Sequence, residues 1–240
     1  MVSSRALASG PARAPAASST LGYCSDPMGS VDLQLARELR DRLGLTRAVE
    51  TGTFRGRTAL ALATVFPSVV TIEISAELAS AATVNLADVS AITVLQGHSV
   101  SCLAAQRRSS EPSLYYLDGH FSGGNTGGAE DECPVLKELE TIGDGHPHDC
   151  FVIDDARLFA SSPAPPHDPD KWPELIEIFD LLRSLHTEHV VTVLNDQVVA
   201  VPRPARPVLN AYGLRVQPPA FTVRDQLQSV RELIQKRLKR

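Results

Sequence analysis

The sequence predicts an α/β protein: a doubly wound, mostly parallel seven-stranded sheet with one antiparallel C-terminal strand. Three observations carry that expectation. Short apolar, β-branched runs recur between residues 47 and 201. The starts of the first five lie roughly 20 to 35 residues apart, the length of a strand, loop, helix and return. The last two are separated only by Asn195-Asp196-Gln197, too short for a crossover helix, so they pair antiparallel.

Residues 1–22 are mostly Ala, Ser, Pro and Arg, and no acid precedes Asp26. They read as a disordered extension or as an organellar transit peptide, a class that is Arg- and Ser-rich and poor in acids. The main domain spans 23–221. Val31, Leu33, Leu35, Ala36, Leu39 and Leu43 mark an amphipathic helix, with Ser30 as its cap and Gly44 as its stop. Strands follow at Arg47-Ala48-Val49, Val69-Val70-Thr71-Ile72, Ile92-Thr93-Val94-Leu95, Leu114-Tyr115-Tyr116-Leu117 and Phe151-Val152-Ile153. Such near-continuous apolar runs are the pattern of strands buried on both faces. Leu175, Ile176, Ile178, Phe179, Leu182 and Leu185 mark a helix, and the reversed pair, 190–194 and 198–201, comes next. Residues 202–207 read as a stiff, extended connector. Over 222–240, Thr222 caps a helix whose Leu227, Val230, Leu233, Ile234 and Leu238 keep helical spacing. Its last turn holds Lys236, Arg237, Lys239 and Arg240, which suit a helix C-terminus better than a nucleic-acid patch.

Composition narrows the function classes. The 240 residues carry 23 Lys+Arg against 28 Asp+Glu, and 43% are hydrophobic. The apolar fraction excludes a wholly disordered chain. A formal net charge of -5 argues against a generic nucleic-acid binder. No uncharged apolar run approaches the roughly 20 residues that span a bilayer, so no membrane partner is expected. Cys24, Cys102, Cys133 and Cys150 form no closely spaced pair, which speaks against structural zinc and for thiols in a reducing, cytoplasmic setting. The location is organellar instead if residues 1–20 are a transit peptide. Nothing in the chain reports its oligomeric state.

Acids fall just past the predicted strand ends: Glu50, Glu73, Asp118 and the pair Asp154-Asp155. In open α/β sheets ligands bind outside the carboxyl ends of the strands. Five carboxylates converging there need a cation or hydrogen-bond donors between them. The first turn reads Glu50-Thr51-Gly52-Thr53-Phe54-Arg55-Gly56. Gly52 and Gly56 let the backbone turn sharply and approach a ligand. The spacing is not that of a dinucleotide loop, and no Lys is present to grip a phosphate. An acid before the first glycine would repel a pyrophosphate and suits a ligand with a cationic group.

This turn resembles motif I of the class I S-adenosylmethionine-dependent methyltransferases, and the resemblance covers about residues 30–201. It implies a Rossmann-like methyltransferase fold, which ends in a reversed strand. It also implies that Glu50, Gly52, Thr53 and Gly56 line the donor site, and that Glu73 holds the ribose hydroxyls. Gly97, His98 and Ser99 fall where the family contacts adenine. Leu117-Asp118-Gly119-His120 and Ile153-Asp154-Asp155 are similar to the divalent-metal-dependent O-methyltransferases of the catechol, caffeoyl-CoA and macrolide-sugar types. Carried over, Asp118, Asp154 and Asp155 are ligands of Mg²⁺ or a similar cation, which takes hard oxygen donors. The catechol branch has a Lys shortly after its Asp, where this chain has His120.

The expected activity is methyl transfer to a hydroxyl of a small molecule: a sugar, a phenol and a peptide hydroxyl all remain open. The metal would bind the acceptor and lower its pKa, and His120 would take the proton. Segment 121–128, with four glycines, reads as a lid. Glu130 and Asp131 read as solvated loop charges, and 161–173 as a surface loop bordering the same edge. Two alternatives stand beside this reading: a related small-molecule enzyme without methyl transfer, and a non-catalytic module that binds the donor.

Overall fold

The computed structural model describes residues 31–106, 110–123, 127–161 and 163–217. The expectations for residues 1–22, for Cys24 and for the helix over 222–240 lie outside the described residues. The elements, in chain order, are α1 (Leu33–Leu43), β1 (Arg47–Thr51), α2 (Arg57–Leu62), β2 (Val69–Glu73) and α3 (Ala76–Asn85). They continue with β3 (Ile92–Gln96), α4 (Ser99–Gln106), β4 (Ser113–Leu117), α5 (Val135–Ile142), β5 (Cys150–Ile153) and α6 (Arg157–Ala160). α7 (Leu175–Leu185), β6 (His189–Leu194), β7 (Gln197–Pro202) and α8 (Arg206–Val216) complete the set.

The described strands form one seven-stranded sheet in the order β3-β2-β1-β4-β5-β7-β6. β1 pairs in parallel with both β2 and β4, and β7 runs antiparallel to both β5 and β6. The chain winds outward from β1 in one direction and from β4 in the other, so the turns after β1 and β4 lie side by side at the switch point.

Strand alternation divides the core between the two faces. In β4, Leu114 and Tyr116 join α1, α2 and α8 through Leu39, Leu62 and Tyr212. Tyr115 and Leu117 point the other way, to Leu139 of α5 and Leu182 of α7. β7 is buried along its whole length, whereas every residue of β6 is half-buried, as befits an edge strand.

Local chemistry explains two departures from the sequence reading. Asp32, not Ser30, caps α1: its carboxylate accepts the Leu35 N–H at 2.7 Å. An Asp cap is worth about 1 kcal/mol over Ala. Gly44 closes the same helix at φ 70°, as expected. Residues 202–207 are not an extended connector: β7 runs to Pro202, a 3-10 turn spans Arg203–Ala205, and α8 starts at Arg206. Proline fits the first turn of a helix because its φ is already helical and its missing N–H would have had no partner. Among the described residues no helix is long and apolar enough to cross a membrane.

Candidate active site at the carboxyl edge of the sheet

A cavity of about 210 Å³ opens where the turns after β1, β2, β3 and β4 meet. Gly52, at φ 85°, brings the β1 turn against the β4 turn; a Cβ there would lie 2.2 Å from the Asp118 carbonyl oxygen. No other residue fits that approach. The Gly52 and Thr53 N–H groups donate to the Ile72 carbonyl at 2.9 and 3.2 Å. Glu73 knits two turns together: it accepts the Phe54 N–H at 2.8 Å and the Ser75 N–H at 3.0 Å. Phe54, at φ 46° and 49% exposed, forms one lip of the cavity, with the Arg55 guanidinium 5.3 Å from its ring centroid. Gly97, His98 and Ser99 form another wall, and His98 Nε2 lies 3.5 Å from Asp131 Oδ2 across the mouth.

Of the expected donor-site residues, Gly52, Glu73, Gly97, His98 and Ser99 line the cavity; Glu50, Thr53 and Gly56 do not. Glu50 lies one layer below, where it accepts the Thr71 hydroxyl at 2.6 Å, and Thr71 in turn meets the Thr53 hydroxyl at 2.6 Å. Burial pushes the Glu50 carboxyl up to about 8, against the Thr71 and Thr58 hydroxyls. Gly56 packs on Leu86, whose side chain comes within 2.7 Å of where a Cβ would stand.

The later acids arrange themselves around His120. Its Nε2 is 2.9 Å from Asp155 Oδ2, and its Nδ1 is 3.5 Å from Asp118 Oδ1. One donor atom from each of Asp118, His120 and Asp155 lies within 4.8 Å of the other two. Arg157 donates to Asp155 Oδ1 at 2.6 Å and also bonds Asp196. Asp154 does not join this group. It turns inward, accepts Tyr116 Oη–H at 2.6 Å and Gln197 Nε2–H at 3.3 Å, and is 2% exposed. The reason is register: as the first residue past β5 it faces the sheet, while Asp155, at φ 58°, swings out toward the cavity edge.

The electrostatics follow from crowding in low dielectric. Burial drives Asp118 up to about 8; His120 opposes this, and Asp154 and Asp155 add to it. Burial also raises Asp154, against the Tyr116 hydroxyl. It would raise Asp155 too, but His120 and Arg157 together hold that carboxyl below its ordinary range. Burial disfavours charge on His120, yet Asp155 and Asp118 outweigh it and raise the imidazole.

The sequence reading missed Glu138. It sits on α5 beneath Gly119, is 1% exposed, and burial pushes it up to about 7. A signal existed: Val135, Glu138, Leu139 and Ile142 share one helix face, and an acid on an apolar face is out of place. Asp131 lines the cavity rather than standing in solvent, as do Ser122, Gly127 and Gly128 of the expected lid; residues 124–126 lie outside the described residues. His146 and His148 sit in the loop before β5, away from this edge. His148 Nδ1 meets the Leu43 carbonyl at 3.1 Å, and His146 Nδ1 accepts the His148 N–H at 3.0 Å.

No protein-family model matches the chain. No curated protein matches it either. Solved structures do. One is a Staphylococcus aureus protein assigned as a caffeoyl-CoA O-methyltransferase, at 13% identity and a TM-score of 0.53, covering 73% of this chain and 86% of that one. Another is the N-terminal domain of EvdMO1, solved with SAH bound, at 15% identity and a TM-score of 0.50, covering 73% and 82%. The chain therefore has the α/β methyltransferase fold, with β7, the last of the described strands, as its antiparallel strand.

Proposed function

We propose that this protein transfers a methyl group from S-adenosylmethionine to a hydroxyl of a small-molecule acceptor. The observation that carries the reading is the cavity itself. A glycine turn that admits no Cβ, an acid at the end of β2 and the Asp118–His120–Asp155 group meet at the carboxyl edge of the sheet. The solved neighbours support it, one through its assignment as an O-methyltransferase and the other through its bound SAH.

In this reading Glu73 receives the ribose hydroxyls, since a carboxylate oxygen can accept more than one bond. Glu50 acts from behind by holding Thr71 and Thr53. The acids of the edge attract the positive sulfonium. Asp155, 2.9 Å from Nε2, fixes the His120 ring, and Nδ1, 3.5 Å from Asp118, takes the acceptor proton.

A divalent cation fits the same group. One donor atom from each of Asp118, His120 and Asp155 converges within 4.8 Å, and two of the three are the hard carboxylate oxygens such an ion takes. Asp118 and Asp155 would hold the ion beside His120, which keeps its lone pair for the proton; Asp154, its oxygens already engaged, would steady Asp155 through the N–H it accepts at 3.0 Å. Bound there, a cation lowers the pKa of a coordinated hydroxyl. The free thiols Cys102, Cys133 and Cys150 support a reducing compartment such as the cytoplasm.

Calorimetry with S-adenosylmethionine, with and without Mg²⁺, tests the reading. Donor binding that is stronger with Mg²⁺ than without it is the expected result. No binding at millimolar donor sinks methyl transfer, and binding without metal dependence removes the cation alone.

A further inference from the structure

Glu132 lies on neither the cavity wall nor a regular element, yet its side chain is only 6% exposed. Its carboxylate accepts the Trp172 indole N–H at 2.9 Å and the Asp168 N–H at 3.1 Å. His167 Nδ1 is 3.5 Å away and Lys171 Nζ 3.9 Å away. The Trp172 bond, foremost, holds this carboxyl below its ordinary range. Its backbone carbonyl accepts the Phe121 N–H at 2.7 Å. One residue thus ties the turn that carries His120 to segment 163–173, whose only regular structure is the 3-10 turn Pro169–Lys171.

Trp172 connects that hub to the chemistry. Its ring centroid is 5.4 Å from that of His120, 5.9 Å from Phe159 and 5.2 Å from His167. His120 is gripped at both nitrogens by carboxylates and on its flank by the indole. An apolar side chain of similar volume could pack segment 163–173 without desolvating a charge. A charge-assisted bond adds what packing lacks, a fixed direction for the indole.

Resting on the methyl-transfer reading above, we propose that Glu132 is a positioning residue: through the Trp172 indole it sets the orientation of the His120 ring toward the acceptor. The bond, and not the bulk, is what matters.

The test uses the full chain with three substitutions. E132L keeps volume and removes the acceptor; E132Q keeps an amide oxygen that can still take the indole N–H; W172F keeps a ring and removes the donor. Two signals are read. Trp172 is the only tryptophan in the chain, so its emission reports its own surroundings. The His120 imidazole ¹⁵N shifts, assigned by comparison with H120N, report its protonation and hydrogen bonds and are barely moved by ring currents. In E132L both signals are expected to change, with the emission moving to longer wavelength. In E132Q both stay near wild type, and in W172F the ¹⁵N shifts change. If Trp172 moves in E132L while the His120 shifts hold, Glu132 only anchors a loop and the proposal is overturned. If neither moves, it is overturned as well. Should E132L not fold, W172F decides by the His120 ¹⁵N shifts alone: shifts that hold overturn the proposal. S-adenosylmethionine calorimetry on the wild type separates the two ideas: failure to bind donor removes the methyl-transfer reading, whatever the ¹⁵N shifts do.

Discussion

Replacing Glu138 with glutamine removes a charge from the layer beneath Gly119 while keeping the shape of the side chain. The carboxylate is 1% exposed, its Oε1 has no hydrogen-bond partner among the described residues, and its Oε2 is 3.5 Å from the Thr51 hydroxyl. Burial, opposed by the Ser99 and Thr51 hydroxyls, pushes it up to about 7, against 4.5 in the unfolded chain. Between those values the folded state keeps a proton that the unfolded chain has released, so raising the pH favours unfolding. The loss is absent below about pH 4.5, grows to about pH 7 and is then complete. Converted to free energy it is about 3 kcal/mol. Relaxation and water entry reduce it, so Glu138→Gln should stabilise the fold by about 1–3 kcal/mol near pH 8 and by close to nothing near pH 4. Urea unfolding of both proteins across that range, followed by Trp172 emission, measures the difference. Glu50 and Asp118, both pushed up to about 8, give the wild type a slope of the same sign. The difference between the two proteins reports Glu138 together with its coupling to Asp118 and His120. A variant less stable than wild type near pH 8, or a gap that stays constant with pH, would refute the reasoning.

Other outcomes follow from the same geometry. Gly52→Ala forces a Cβ into the Asp118 carbonyl at φ 85°; donor binding should be lost in calorimetry, and wild-type affinity in this variant would show that the β1 turn is not the donor site. Tyr116→Phe leaves Asp154 without the hydroxyl it accepts at 2.6 Å and should cost about 1–3 kcal/mol in urea unfolding; a neutral result means water replaces the bond. Burial lowers His186 to about 4, so below about pH 6.5 the unfolded chain binds a proton that the fold refuses. Stability should therefore fall between about pH 6.5 and 4, and His186→Gln should flatten that limb of the unfolding curve. Mn²⁺ is expected to quench Trp172, whose ring is 5.4 Å from His120, and Asp155→Asn to abolish the quenching; full emission at saturating Mn²⁺ in the wild type counts against a cation at this edge.

What the sequence made legible is what local rules dictate. Apolar runs at regular intervals give the strands, Gly44 and Gly52 mark backbone that only glycine adopts or fits, and the short Asn195-Asp196-Gln197 link forces the reversal. Side-chain direction past a strand end is not local. Asp154 and Asp155 are adjacent and chemically alike, yet one feeds Tyr116 and the other faces His120. Their difference depends on what β4 and β7 present to them. Glu132 and Trp172 are 40 residues apart in the chain, and nothing in either neighbourhood announces the bond. Residues 202–207 misled for a different reason: proline suits an extended segment and a helix start equally well, and only packing of α8 on α1 and β6 selects the second.

β7 is the last of the described strands to be made, yet it lies inside the sheet between β5 and β6. As the chain leaves the ribosome, β5 keeps an open hydrogen-bonding edge until residues 197–202 emerge, and β6 has no partner before then. The sheet is finished by insertion, not by growth at its rim. A chain halted before residue 197 is therefore not a smaller version of this fold but one with two sticky edges, Asp154 without its Gln197 partner, and a strong tendency to aggregate.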